Sequence, residues 1–262
     1  MRARIEMGAS ILQVDLARPL SLAAPVRFAG SGPRAFGAPP PSSVPLSLEG
    51  FVGEVAAGGS CNCRTLTLTP HCHGTHTECV SHLTREALDA WQVVPSAPLC
   101  AWLASVPAQP AQTTRESTDP APQPADLLIT RERLEAAWPL EAPPVRALIL
   151  RTLSSEPAPL PPYLSREAAQ LIVERRIEHL VVDVPSLDRL ADAGRLTAHR
   201  VFFGLPQGAH ELARATRATC TVTELARIPE DATDGAYLLS LQVPAIGGDA
   251  VPSRPLIYPL LA

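Results

Sequence analysis

Two stretches dense in proline break this chain. Residues 24–46 carry Pro39-Pro40-Pro41 amid Gly and Ser. Proline fixes φ and has no amide N–H, so this stretch is neither a regular helix nor a central strand. It reads as a substrate-covering loop or a plain surface excursion. Residues 105–124 hold five more Pro with Gln, Thr and Ser. We read them as an insertion within one domain spanning residues 1–262, because what precedes them is too short and loop-rich to form a separate core.

Between these breaks lie apolar runs of strand length. Ile11-Leu12-Gln13-Val14-Asp15-Leu16 is a candidate first strand, within residues 11–22. Arg64 to Thr69 alternates polar and apolar residues up to Pro70, a strand signature. Residues 145–152, 179–184, 237–243 and 255–258 read as further strands. Ser165 to Arg176 reads as a helix with Ser165 as N-cap, Glu167 in the first turn, and Leu171, Ile172 and Ile177 facing the core. Strands mixed with a few helices indicate an α/β protein.

Composition narrows the function classes. A net charge of −4, with 22 basic and 26 acidic residues, is too mild for a nucleic-acid surface. No apolar run reaches the eighteen residues of a membrane span, and the N-terminus lacks a secretory apolar region, so the expected compartment is the cytoplasm. The six cysteines, Cys61, Cys63, Cys72, Cys79, Cys100 and Cys220, are then expected as free thiols. Cys61-Asn62-Cys63 is not a zinc-binding pair, and no second pair completes one.

The chemistry concentrates in residues 71–82, His-Cys-His-Gly-Thr-His-Thr-Glu-Cys-Val-Ser-His. Four of the seven histidines fall here, with a carboxylate between them. Imidazole and carboxylate are the ligands of zinc, manganese or iron at a hydrolytic centre. His76 and Glu78 are two apart, so an extended backbone places both on one side. Glu78 and His82 are four apart, which suits a helical turn. Gly74 permits φ > 0 or a close approach, and Thr75 offers a hydroxyl to steady a ligand. Cys79 reads as a small packed residue, whereas Cys72 is either a ligand or a neighbour of one.

This segment resembles the H-x-G-T-H-x-D-x-P-x-H signature of the cyclase family, which includes bacterial kynurenine formamidases and isatin hydrolase. Gly74, Thr75, His76 and His82 match it; Glu78 stands where the family has Asp, and Val80 where it often has Pro. The family's first metal-binding His falls on Cys72, flanked by His71 and His73, so either Cys72 takes the role or a neighbouring His shifts into it. Val14 to Leu20 is similar to the family's opening segment. His179 to Asp188 resembles its strand followed by D-x-P-S-x-D, Leu196-Thr197-Ala198-His199 its L-P-A-H, and Gly247 to Arg254 its closing G-x-D-x-x-P-x-R. The family's E-N-L is nearest to Thr223-Glu224-Leu225, where alignment on Leu225 puts Thr223 at the ligand position and Glu224 one place later.

The resemblance implies a single α/β domain of the swivelling β/β/α type, a mixed sheet flanked by helices. It implies hydrolysis of an N-formyl or cyclic amide of a small molecule by a metal-activated water. The expected metal is zinc or manganese, held by His76 and Glu78 with one of His71, Cys72 and His73, and with Glu224 as a further candidate. His82 would bind metal or carry a proton, and His199 would transfer a proton or orient substrate. Pairing of His199 with Asp192 is the plainer alternative for that ring, and His179 and His210 read as surface residues. Asp183 and Asp188 read as strand-ending and turn-stabilising groups. Ser186 lacks the elbow of a serine nucleophile. A homodimer is expected, and a cyclase or lyase reaction or non-catalytic metal binding are the other function classes.

Overall fold

Ala147-Leu148-Ile149-Leu150 is apolar at every position, as a strand covered on both faces requires, and all four residues are buried. A computed structural model describes residues 1–7, 10–140, 142–153 and 160–261. Its principal elements, in chain order, are β1 (Arg2–Met7), β2 (Ser10–Asp15), β3 (His76–Cys79), α1 (Ala90–Val93), β4 (Leu99–Pro107), α2 (Arg131–Ala137) and β5 (Ala147–Leu153). They continue with α3 (Arg166–Glu174), β6 (His179–Val182), α4 (Thr197–Phe203), β7 (Thr221–Glu224), β8 (Gly235–Ser240), β9 (Ala250–Pro252) and β10 (Leu256–Leu261).

One large mixed sheet runs in the order β1-β2-β10-β8-β4-β5-β6-β7-β3-β9. Its centre, β4-β5-β6-β7, is parallel, and antiparallel strands flank it on both sides. Alternate residues serve two cores. Val106, Leu148, Leu150, Val182 and Val222 pack beneath Leu134 of α2, Ile172 of α3 and Phe202 and Phe203 of α4. Leu103, Ile149, Val181, Tyr237 and Leu239 pack on the other face with Leu22 and Ala226. Each large side chain buried this way contributes roughly 1.5–3 kcal/mol. The predicted helix begins as its sequence implies: the Ser165 hydroxyl accepts the amide of Ala168 at 2.9 Å.

Both proline-dense stretches stay mostly irregular. In the first, Ser42–Pro45 pairs with Arg64–Thr67 in a separate two-stranded sheet. The alternating run is therefore a strand, but an exposed one outside the main sheet. In the second, Gln109–Pro110 pairs back onto Leu127–Ile129. All six cysteines are free thiols. His179 corrects its surface assignment: it is 2% exposed at the start of β6, with Nδ1 2.9 Å from the Thr221 hydroxyl. No described helix is long and apolar enough to cross a membrane.

Candidate metal centre

The period of two along β3 turns His76 and Glu78 to one face, the face of the helical layer. Across the antiparallel ladder Glu224 stands opposite His76, and Thr223 opposite Thr77. The two threonine hydroxyls bond to each other at 2.7 Å on the reverse face. Glu224, not Thr223, therefore reaches the His76 side, at the carboxyl end of parallel strand β7. Ligand sites of α/β sheets sit at such strand ends.

Gly74 and Thr75 bring β3 into place. A Cβ on Gly74 would lie 2.6 Å from the Ala24 carbonyl oxygen, and the residue has φ +94. Thr75 donates its amide to Ala24 O at 3.0 Å, while its hydroxyl accepts the Ala24 amide at 2.8 Å and donates to Leu225 O at 2.6 Å. One side chain thus joins the first proline-dense stretch, β3 and the residue after Glu224.

His199 arrives from α4. Asp188 holds the start of that helix: it accepts the amides of Ala198 at 2.7 Å and His199 at 3.1 Å, and His199 Nδ1 lies 2.6 Å from its Oδ2. Asp192 instead binds the amides of Gly194 and Leu196, so the Asp192–His199 pair is not formed. Asp188 does more than brace a turn. Asp183 accepts the Thr152 amide at 2.8 Å, which ties β5 to the end of β6.

The three neighbours at the start of the segment part company. His71 Nδ1 lies 3.1 Å from Glu78 Oε2, and its Nε2 lies 2.8 Å from Asp249 Oδ2. His73 turns away: its Nδ1 accepts the Thr69 amide and its Nε2 donates to Pro39 O, both at 2.9 Å. It pins the proline-dense stretch down. Cys72 is buried, which pushes its thiol up from the usual pKa, and it is not among the converging ligand groups of the described residues. His210 is exposed, as expected.

Three rings are held from outside. His76 Nδ1 faces Gly74 O at 3.2 Å, His199 Nδ1 faces Asp188, and His71 Nε2 faces Asp249. Carbonyl and carboxylate oxygens only accept, so each of those nitrogens carries the proton. In the neutral rings the opposite nitrogens then point lone pairs inward, at carboxylates. His76 Nε2 is 3.4 Å from Glu224 Oε2, and His199 Nε2 is 2.9 Å from Glu78 Oε1 and 3.3 Å from Glu224 Oε1. Among the described residues, His76 Nε2, His199 Nε2 and both Glu78 oxygens are buried without a hydrogen bond. Acceptor facing acceptor at these distances calls for positive charge between them.

Without a metal, a second proton on the His71 and His199 rings supplies that positive charge. Burial disfavours the charged His71 ring, but Asp249 and Glu78 outweigh it and hold the ring up at about 10. Burial likewise opposes charge on His199, and Glu78 and Asp188 overcome it, raising the ring well above its usual value. Burial pushes Glu78 up, yet His82 and His199 hold it well below the usual carboxylate range. Glu224 is lowered too, against burial and Glu78, by its contacts with His199 and His76. Ligand atoms of His71, His76 and Glu78 gather in one group and those of Glu78, His199 and Glu224 in another, each within 4.8 Å. Glu78 is common to both. His82 joins neither; it groups with His71 and Asp249.

A family model named Cyclase, described as "Putative cyclase", matches residues 14–189. The chain belongs to the cyclase family. No curated protein matches this cyclase-family chain in sequence. Solved structures share its fold over 92% of its length. One, "predicted metal-dependent hydrolase from Bacillus stearothermophilus", aligns over 98% of its own chain with a TM-score of 0.58 at 13% identity. Isatin hydrolase A from Labrenzia aggregata aligns over 93% of its chain, with a TM-score of 0.57 at 15% identity. Isatin hydrolase A from Ralstonia solanacearum aligns over 91%, with a TM-score of 0.58 at 18% identity.

Two site residues escaped the sequence reading. Asp249 lies within the closing Gly247–Arg254 stretch, so a signal for it existed, but nothing local ties that stretch to His71. Asp188 looks like a turn residue in sequence, since its bond to His199 spans eleven positions.

Proposed function

We propose that this protein is a metal-dependent hydrolase that opens an N-formyl or cyclic amide of a small molecule. The observation that supports it most is the inward aim of three tautomer-fixed imidazoles at the buried carboxylates of Glu78 and Glu224. Nitrogen and oxygen donors of this kind fit zinc or manganese. His71, His76 and Glu78 would hold one ion, and Glu78, His199 and Glu224 a second. Asp249 behind His71 and Asp188 behind His199 complete the carboxylate–histidine–metal arrangement that fixes ring orientation and basicity.

A bound divalent ion acidifies water and polarises a carbonyl oxygen. The protein's own part is to hold the ligand groups in place and to move protons. In the overall reaction the C–N bond breaks, water adds a hydroxyl to the carbonyl carbon, and a proton reaches the leaving nitrogen. His82, outside both ligand groups, is the proton carrier in this reading. His199, with both ring nitrogens engaged by carboxylates, serves better as a ligand than as a second carrier. The isatin hydrolases that share the fold favour a cyclic amide among the substrates to try.

Elemental analysis of the purified protein, followed by assays with isatin and with N-formylated aromatic amines, tests the proposal. Absence of bound zinc or manganese even after reconstitution would remove it. The homodimer proposed with this function is consistent with the exposed apolar side chains of Val44, Leu48 and Leu66; sedimentation across a wide concentration range checks it.

A further inference from the structure

His82 meets the site through one atom. Its Nδ1 lies 3.2 Å from Asp249 Oδ2, and the same oxygen lies 2.8 Å from His71 Nε2. The two rings are neighbours, with centroids 4.4 Å apart. An ionised carboxylate has no proton to give, so each ring must turn an N–H toward it. The bond made by one ring nitrogen settles what the other can do. In the neutral His82 ring that leaves Nε2 bare.

Asp249 is built in firmly, although its side chain is 42% exposed. The Asp89 carboxylate accepts the Gly248 amide at 2.9 Å, and Gly248 O accepts the Ala90 amide at 2.8 Å. The carbonyl of Asp249 accepts the Cys79 amide at 3.0 Å. The next residue, Ala250, opens β9 directly opposite Glu78. The backbone that carries Asp249 is thus registered against the strand that carries Glu78.

We propose that Asp249 is a positioning residue that holds His82 in the Nδ1–H form, so that the Nε2 lone pair is the proton acceptor of the site, and that the same oxygen couples this ring to His71. The use of that lone pair rests on the hydrolase reading above; the tautomer does not. One oxygen serving a ligand ring and a proton-carrying ring keeps the two in fixed relation.

Ring-nitrogen NMR of the full chain tests this, with His82 assigned by His82→Gln and spectra recorded at alkaline pH with and without added zinc. In the metal-free wild type the expected result is a protonated Nδ1 and a bare Nε2 on His82. Asp249→Asn offers one acceptor and an amide donor, so it cannot receive both rings. It should carry His82 mostly into the Nε2–H form and weaken zinc uptake roughly 10–100-fold. A wild-type His82 protonated at Nε2, or the same tautomer in Asp249→Asn as in the wild type, overturns the proposal. The wild-type spectrum decides even if the variant does not fold. Because it is read without metal, failure of the hydrolase reading (no zinc or manganese bound) and failure of this one are separate results.

Discussion

Glu224 stands directly across the β7–β3 ladder from His76, with its Oε2 3.4 Å from the ring Nε2. Yet it groups with Glu78 and His199, and the His71–His76–Glu78 group is complete without it. Glu224→Ala should therefore lower metal stoichiometry without abolishing it, whereas Glu78→Ala, which removes the shared carboxylate, should strip both ions. Glu224 Oε1 also accepts the Leu187 amide at 2.9 Å, and orphaning that buried donor costs about 1–3 kcal/mol. Metal content is best compared at temperatures where both variants are folded. Equal loss in the two variants would mean that the division into two groups is wrong.

Asp188 supports the site without touching the inward-facing atoms. Asp188→Asn keeps the size of the side chain, but an amide nitrogen replaces one of the two oxygens that serve His199 and the first amides of α4. Metal affinity is expected to fall roughly 10–100-fold. The weakened helix start should cost on the order of 1 kcal/mol. Competition against a coloured chelator reads the first effect and thermal unfolding the second. Unchanged affinity alongside lowered stability would reduce Asp188 to a helix cap.

How much of this was legible beforehand follows from what is local. The two-residue spacing of His76 and Glu78 placed both on one face once β3 proved extended, and the Ser165 cap and the apolar core of α3 read directly off the chain. Glu224 could not be separated from Thr223 by alignment, because only the cross-strand pairing of Thr77 with Thr223 decides which of them faces inward. His71, Cys72 and His73 were equivalent in sequence; the short 3-10 turn at Pro70–Cys72 sends them in different directions. The four-residue spacing of Glu78 and His82 suggested a common helical face, but the chain leaves β3 after Cys79 and His82 ends a separate 3-10 turn. His179 follows the charged residues Arg175, Arg176 and Glu178 but opens the apolar run Leu180-Val181-Val182, and it is the sheet that buries its ring.

That burial has a pH signature. Burial holds the His179 ring down at about 4, against an ordinary value of 6.5. Above 6.5 the ring is neutral in both folded and unfolded chains. As pH falls through 6.5 the unfolded chain binds a proton that the folded one refuses until about pH 4, so stability is lost across that window. The whole loss is roughly 3 kcal/mol. His179→Leu should abolish this component, making the variant less sensitive to acid than the wild type between pH 6.5 and 4 in denaturant titrations. Parallel curves for the two proteins would show that His179 takes up its proton while still folded.

Gly74→Ala probes whether the first proline-dense stretch is a structural part of the site. Two costs meet at this position. The backbone at φ +94 is one that a residue with a Cβ rarely adopts, worth about 1–2 kcal/mol. In addition, the new methyl would lie 2.6 Å from Ala24 O and 3.1 Å from Val26 N, both backbone atoms that cannot swing aside. Relief requires residues 24–26 to move, and that breaks the paired bonds between Ala24 and Thr75 and disturbs the Thr75–Leu225 bond beside Glu224. Gly30→Ala supplies the comparison: its φ is +78, but nothing lies within 4 Å of the added Cβ. It should lose about 1 kcal/mol and bind metal as the wild type does. Gly74→Ala should lose clearly more stability and also bind metal more weakly. If the two variants unfold at the same temperature and take up metal equally, the contact between Gly74 and residues 24–26 is a yielding one, and Thr75 does not fix the position of Glu224.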